Sequence, residues 1–580
     1  MCSLIEPNTA LLQNKNHWLL FQNPLSIIQT NAIEDVIPAL KEIEERIDHN
    51  GFAAGFLCYE AASAFDKALI TYKPSNFPLL WFGIYKAPKT LQSLPAGLQK
   101  YQLGPWKPDT TSAAYRKAID HIKTFLANGD TYQVNYTIRM HTRFSGEAYG
   151  LFRQMTASQK ALNNAFVNLE DYAICSASPE LFFLLDGNQL HSCPMKGTAP
   201  RGKFLSEDDV LANNLKHSRK NRAENVMIVD MMRNDMGRIA IPGSVHVPAL
   251  FDVEKYPTIL QMTSTVTSQT DATIIDILKA LFPCASVTGA PKPRTMEIIR
   301  ELESSARKIY TGSIGMIAPG RQAFFNVAIR TVLVDRRNKT AEYGVGGGIV
   351  WDSTAEEEYR ECRIKARVLT EIRPDFQLLE SLLWTQDSGY YLLDYHLKRL
   401  KNSADYFNFP IDAVSAENFL EKATGDFKQS PLKVRLLLSE DGSLDLISER
   451  PKSSQPVSIC LAKTLVNSNN IFLYHKTTHR VIYEKALAEK GGADDVILWN
   501  ERNELTEASS SNIVVRIGKD YWTPPVASGL LPGTRRAELL DQGKIKEAVI
   551  TKSQLKLVDG IFLINSVRPW REAFMIKDDF

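Results

Sequence analysis

The chain has 580 residues, with 68 lysines and arginines against 66 aspartates and glutamates and a formal net charge of +2. That balance gives no field to draw the whole chain onto nucleic acid or a membrane surface, and no apolar run approaches the ~20 residues of a membrane span. Seven scattered cysteines, never in C-x-x-C spacing, predict reduced cytosolic thiols rather than a disulfide framework or a zinc site, and the length predicts roughly two to four domains.

The first residues, Met1 to Glu6, lack the basic and apolar regions of a signal peptide, so a cytoplasmic protein is expected. Residues 1–105 predict an amphipathic helix near Ile33–Ile47 and a strand over Leu79–Tyr85, and carry no functional signal of their own. A helix over Ala113–Ala127 should stop at Asn128-Gly129-Asp130, and Gly129–Thr137 reads as a turn entering a strand. Ser178-Pro179-Glu180 leads into an apolar strand, Leu181–Leu185.

Sixteen residues after Glu180 comes Pro194-Met195-Lys196-Gly197-Thr198, where proline and glycine forbid a continuous helix. A lone Lys-Gly pair reads as a surface turn. Held in one place and partly desolvated, the same amine can have its pKa depressed enough to attack carbon. A carboxyl facing it, Glu180, then becomes a general acid or base.

Ser206–Asp209 has capping-box spacing and is expected to open a long helical stretch that carries Glu224 and the apolar run from Met227. Ser286–Pro293, with Thr288 inside it, is a rigid turn before a helix from Met296. Phe325–Thr331 reads as a strand with one arginine, Arg330, whose partner is an acid or a substrate carboxylate. Gly344–Gly348, including Gly346 and Gly347, reads as an anion nest of consecutive N–H groups. Thr354–Glu357 has capping-box spacing, and the following helix puts Glu358, Glu361 and Lys365 on one face. That face is either a solvated salt-bridged stripe or, with Glu224, a hard-oxygen site for Mg2+.

Together these stretches resemble the chorismate-utilising enzymes: anthranilate synthase, isochorismate and salicylate synthases, and aminodeoxychorismate synthase component I. The resemblance spans about 115–370 and rests on Gly129–Thr137, Ser178–Glu180, Pro194–Thr198, Ala223–Arg238, Val287–Pro291, Ala328–Thr331 and Glu358–Ala366. It implies an α+β fold, a two-layer β-sandwich-like domain with flanking helices. In this family aminodeoxychorismate synthases carry lysine in the middle of the proline-to-threonine loop, where anthranilate synthases carry alanine. Lys196 therefore implies amination at C4 of chorismate through a covalent lysine adduct. The resemblance further implies Glu180 as general acid/base, Glu224, Glu358 and Glu361 around Mg2+, and Arg330, Lys365, Gly346, Gly347 and Thr288 as substrate binders. Gln261 departs from the pattern, standing where relatives usually have histidine, and an amide cannot shuttle a proton near neutral pH.

Arg373-Pro374-Asp375 is a polar break, giving a first domain of 1–372, a linker of 373–378 and a second domain of 379–580. The second domain predicts a helix from Tyr395, a strand over Leu432–Leu438, a helix over His479–Lys490, and two strands, Asp494–Trp499 and Leu505–Val514, joined at Asn500–Asn503. Gly533 and Thr534 open a further helix and could offer N–H groups to a phosphate. This half resembles the branched-chain-aminotransferase fold family, a fold-type IV α+β domain that includes aminodeoxychorismate lyase and D-amino-acid aminotransferase. The resemblance implies pyridoxal 5'-phosphate, with Lys476 as the Schiff-base lysine, Glu507 beside the pyridinium nitrogen, and Arg399 and Thr534 at the phosphate. Val514 stands where an aromatic is usual and Thr534 where an aliphatic residue is common.

The combined expectation is 4-aminobenzoate synthesis for folate: amination of chorismate, then elimination of pyruvate. The alternative is an anthranilate or isochorismate synthase-like first domain with a branched-chain or D-amino-acid transaminase behind it. No cysteine sits in a G-x-C-x-G elbow, so ammonia is expected from a separate glutamine amidotransferase subunit. Neither nucleic acid nor a membrane is an expected partner, and the second domain leaves room for a homodimer.

Overall fold

The computed structural model describes residues 5–48, 51–96, 100–370, 373–452 and 455–576. The chain divides into two compact units: residues 1–200 with 212–373, and residues 201–211 with 374–580. The expected end of the first domain at 372 falls outside the described residues, and the passage between units lies at Arg373-Pro374. The short segment Arg201–Leu211, placed in the first domain by sequence, belongs to the second unit.

Two sheets dominate the first unit, an eleven-stranded and a ten-stranded one among the described residues, with antiparallel neighbours. Side chains alternate between the faces of each strand, and this decides the layers. Ala10, Leu12 and Phe21 of the first sheet join Phe56, Phe82, Phe183 and Phe325 of the second in the core between them. Leu11, Phe166, Val332 and Val345 face the other way, onto Tyr115, Ile119 and Ile122 of the helix Ser112–Ala127 and onto Leu151, Phe152 and Met155 of the helix Ala148–Gln159. This is the two-layer sandwich with flanking helices. Residues before 105 complete it rather than standing apart: Thr9–Asn14 and His17–Phe21 extend one sheet, Phe52–Leu57 and Leu80–Tyr85 the other.

Several local expectations shift. The early helix is Val36–Asp48. The helix after Gly202 begins at Leu205, so Ser206 lies inside it, and the reach back is made by Glu207 to the Lys203 N–H at 2.8 Å and by Asp208 to the Gly202 N–H at 2.9 Å. The long stretch then breaks, because Ser218 caps a second helix, Arg219–Gly237, accepting from the Asn221 N–H. Gly344–Gly348 is no nest. It lies in the extended strand Thr340–Ile349, paired residue by residue with Gln133–Gly146 on one side, so successive N–H groups point in opposite directions and do not converge on one anion. Arg330 sits not in a strand but between two, at φ +51°.

In the second unit a four-stranded sheet holds Leu378–Thr385 and Leu432–Leu438, and an eight-stranded sheet holds Asp495–Trp499, Leu505–Ala508, Asn512–Ile517 and Gly560–Ile564. The helix Leu393–Phe407 packs Leu400, Ala404 and Phe407 with Leu382 and Leu436. The strand predicted over Leu505–Val514 is interrupted at Ser509–Ser511, and the helix predicted over His479–Lys490 is trimmed to Val481–Ala488. The segment Arg201–Leu211 docks beside the lysine region of this unit. The Arg201 guanidinium lies 4.4 Å over the Tyr406 ring and donates to the Tyr406 carbonyl at 2.8 Å, and the His475 Nε2 is 3.1 Å from the Lys203 carbonyl.

Candidate active sites

Lys196 sits on a strand at the edge of its sheet, Met195–Pro200, where the register slips between Met195↔Thr263 and Thr198↔Gln261. A slip of this kind re-aims the side chain. Gly197, at φ +94°, supplies the backbone turn that a side chain would strain. Gln261 pins the slip from both sides: its amide donates to the Gly197 carbonyl at 2.9 Å, and its carbonyl accepts from the Thr198 hydroxyl at 3.1 Å. Buried Asn225 donates to the Lys196 carbonyl at 3.4 Å and accepts from Ser264 at 2.6 Å. Gln261 thus holds the loop without any proton chemistry.

The Lys196 amine enters a cavity of about 380 Å3 lined also by Glu180, Glu224, Arg330, Glu358, Glu361 and Lys365. Burial lowers the Lys196 pKa, opposed in part by Glu224 and Glu180. Glu180 is 2% exposed, and burial pushes its carboxyl up to about 7 despite the Ser286 hydroxyl donating to it at 2.6 Å. A lysine whose pKa is lowered and a carboxyl whose pKa is raised in one cavity can serve as a nucleophile and a proton donor.

The glycine strand forms one wall. A β-carbon on Gly347 would fall 2.9 Å from Glu358 Oε2, and one on Gly346 would fall 2.2 Å from the Tyr136 carbonyl. Glycine is required there by close approach rather than by a turn. Lys365 donates to the Gly346 carbonyl at 2.8 Å and pairs with Glu361 at 2.7 Å; burial works against its charge, but Glu361 with Glu358 and Cys362 outweighs this and its pKa is raised. Arg330 donates to the Gln159 amide carbonyl.

Among the described residues no three histidines, thiols or carboxylates are gathered into a ready metal cage. Burial raises Glu224 and Glu358, as expected of carboxylates short of a counter-charge, while Lys365 holds Glu361 down. Two such oxygens on facing elements fit Mg2+, which takes one or two carboxylates and completes its shell with substrate and water.

Thr288 is not brought to the cavity. It is fully buried, and its hydroxyl donates into its own turn, to the Cys284 and Ala285 carbonyls. Ser286 and Val287 line the cavity instead. Three further features escaped the sequence reading. Gln133 is fully buried beside Lys196 with neither amide atom hydrogen-bonded. Asn225 and Ser264 brace the loop. Buried Arg307, paired with Glu303 at 2.6 Å, donates to the Asn135 and Val287 carbonyls at 2.7 and 2.9 Å and fixes two cavity walls.

A second cavity, about 400 Å3, brings together Lys476, Glu507, Arg399 and Thr534. Burial pulls Lys476 down to about 7 and pushes Glu507 up to about 7. Glu507 accepts from the Tyr483 hydroxyl at 2.6 Å and the Leu531 N–H at 3.2 Å. Arg399 is oriented by Glu380 at 2.6 and 2.9 Å, Glu380 also holds His396 at 2.6 Å, and Thr534 Oγ1 lies 3.3 Å from His396 Nε2. Glu380 and His396 gave no sequence signal. Pyridoxal phosphate fits this set: an amine to hold it, an acid for its ring nitrogen, and a guanidinium beside the first turn of the helix Thr534–Asp541 for its phosphate.

Residues 95–371 match the chorismate binding enzyme family, and residues 377–573 match amino-transferase class IV. The chain is 35% identical over 382 residues to aminodeoxychorismate synthase component 1 of Escherichia coli (strain K12), covering 59% of this chain and 84% of that protein. Aminodeoxychorismate synthase component 1 of Bacillus subtilis (strain 168) is 39% identical over 258 residues, covering 44% of this chain and 54% of that one. Among solved structures, anthranilate synthase component I from Streptococcus pneumoniae TIGR4 superposes with a TM-score of 0.55 at 26% identity, covering 61% of this chain and 92% of that chain.

Proposed function

Because the chain belongs to the chorismate binding enzymes and continues into an amino-transferase class IV domain, we propose that it makes 4-aminobenzoate from chorismate in two steps, for folate. In the first, the Lys196 amine adds at C2 of chorismate as the C4 hydroxyl leaves, taking the Glu180 proton with it as water. Ammonia then forms the new bond at C4, and the lysine is expelled from C2. The observation that carries this reading is the pairing of a depressed lysine with a carboxyl poised near neutrality in one cavity.

Mg2+, when bound, supplies positive charge for the carboxylates of chorismate; Glu224 and Glu358 would hold it, with Glu361 keeping Lys365 in place. Arg330 and Lys365 supply cations for the substrate's carboxylates. Glu180 takes over as acid from the position where relatives have histidine, and Gln261 keeps only a holding role.

Pyridoxal phosphate, when bound, supplies an electron sink that acidifies the substrate C–H bond. Lys476, with its pKa near neutrality, then takes the C4 proton, pyruvate departs, and the ring becomes aromatic. Glu507 would face the cofactor nitrogen as its acidic partner, and Arg399 and Thr534 would hold its phosphate. We place the protein in the cytoplasm, fed with ammonia by a separate glutamine amidotransferase subunit, with homodimerisation through the second domain.

Lys476→Ala tests the division of labour. It should lose the cofactor's visible absorbance and let aminodeoxychorismate accumulate, while amination continues at the first cavity. Formation of 4-aminobenzoate by this variant, or a wild type that releases pyruvate only when a 2-oxo acid is added, would overturn the reading. The purified chain should use ammonium and not glutamine.

A further inference from the structure

The second cavity is far more basic than its cofactor needs. Eight of its lining side chains are lysine or arginine, against two glutamates. Most are already committed. Arg399 is tied to Glu380, Lys433 pairs with Glu449 at 2.6 Å, and Arg480 lies against the Ser509 carbonyl and the Tyr483 ring. Two are not. The guanidinium groups of Arg435 and Arg568 are half-buried, line the cavity, and make no hydrogen bond or ion pair to another described residue. Burial lowers the Arg568 pKa, as expected of a desolvated cation that the distant Asp495 only partly offsets.

Arg435 comes from the four-stranded sheet and Arg568 from a loop between two strands of the eight-stranded sheet, yet both line one cavity. Arg435 stands opposite Ser381 in the strand ladder, and the Ser381 carbonyl accepts from the Ser566 hydroxyl at 3.0 Å, two residues before Arg568. The loop carrying Arg568 is fixed in turn, because Asn565 donates to the Ser510 carbonyl at 3.1 Å and to the Ser511 hydroxyl at 3.0 Å. Arg568 is therefore held by its backbone while its side chain is left for a ligand. A half-buried guanidinium fork without a partner is matched by a carboxylate, which it can bind through two parallel hydrogen bonds.

We propose that Arg568 and Arg435 form a carboxylate-binding end of the second cavity and restrict it to amines that carry more than one carboxylate. The proposal builds on the two-step reading and names what the second site selects. An apolar amino acid, the substrate of a branched-chain transaminase, would leave both cations buried against hydrocarbon, which is costly. A cyclic amine with two carboxylates, as the first step would deliver, satisfies them. Arg568 and Arg435 act on specificity and placement; the proton transfers stay with Lys476.

The test uses the full-length holoprotein with benzene-1,3-dicarboxylate and benzoate as unreactive probes, read through the perturbation of the cofactor's visible band, and aminodeoxychorismate as substrate. Losing a charge-assisted contact should weaken binding roughly ten- to hundredfold. Arg568→Gln should therefore raise the dicarboxylate dissociation constant and the KM for aminodeoxychorismate by that factor, with kcat within about twofold and benzoate little affected. Arg435→Gln should do the same, and Arg568→Lys should restore part of the loss; these two decide the matter if Arg568→Gln fails to fold. Wild-type affinity and KM in both glutamine variants, or equal losses for benzoate and the dicarboxylate, would overturn the proposal. Failure of the two-step reading would show separately, as a wild type that binds the dicarboxylate through Arg568 yet releases no pyruvate from aminodeoxychorismate.

Discussion

A β-carbon on Gly348 would lie 2.5 Å from the Lys196 ammonium nitrogen, so the absence of a side chain at one position makes room for the amine of the other. Gln133 Nε2 lies 2.6 Å from the same point. The space that the amine occupies is thus set by a strand paired far away in sequence. Gly348→Ala should leave folding intact, because the end of a flexible lysine can move, yet misplace the nucleophile. A displacement of that size costs on the order of a hundredfold in C4 amination. Steady-state amination with ammonium checks this, alongside an unchanged melting temperature and an unchanged cofactor band.

The metal prediction separates three neighbouring carboxylates. Glu224→Gln and Glu358→Gln each remove an anionic hard oxygen and should raise the Mg2+ concentration for half-maximal amination by roughly tenfold or more. Glu361→Gln should act instead through Lys365, its partner at 2.7 Å, and raise the KM for chorismate. Magnesium titrations of all three variants check it; unchanged titrations in the first two would return this face to a surface salt-bridge stripe.

Amination should show a pH optimum bounded by the two groups in the first cavity. Glu180 must be protonated to release the hydroxyl, so the rate falls as pH rises through about 7, its shifted value. Lys196 must be neutral, so the rate also falls as pH drops below its lowered pKa. At constant free ammonia the profile is a bell, and Glu180→Gln should abolish the alkaline limb together with most of the rate.

Glu380 links acid stability to the cofactor end of the second unit. Burial alone would raise its carboxyl, but Arg399 and His396 together outweigh this and hold it at about 2, against an ordinary value of 4.5. A depressed carboxylate contributes stability that is present above its unfolded pKa and lost as pH falls from about 4.5 through about 2. The shift corresponds to roughly 3 kcal/mol. Glu380→Gln should flatten the acid dependence of unfolding in that window and loosen Arg399, lowering cofactor affinity at pH 7. Thermal melts between pH 7 and pH 3 and cofactor titration measure both.

The residues of both cavities were legible where their chemistry lies in short motifs. Lys196, Glu180, Glu224, Arg330, Glu358, Glu361 and Lys365 span almost half the first domain yet line one cavity, as do Lys476, Glu507, Arg399 and Thr534 in the second. What sequence could not read depends on partners far along the chain. The glycine run looks like a nest until its pairing with Gln133–Gly146 makes it an extended wall. Thr288 looks available until its hydroxyl is seen closing its own turn. Gln133 carries no signal of its own within its strand; its burial comes from the Lys196 amine and Gly348, both far along the chain, packing beside it. Arg307 and Glu380 carry no motif at all; their roles come from burial, which the fold decides.

The most direct measurement is a single incubation of the purified chain with chorismate, ammonium, Mg2+ and pyridoxal phosphate, with no 2-oxo acid added, followed by product quantitation. The account predicts 4-aminobenzoate and pyruvate in equal amounts, and none in the Lys196→Ala protein. Anthranilate or isochorismate as the product, or undiminished 4-aminobenzoate from Lys196→Ala, would contradict it.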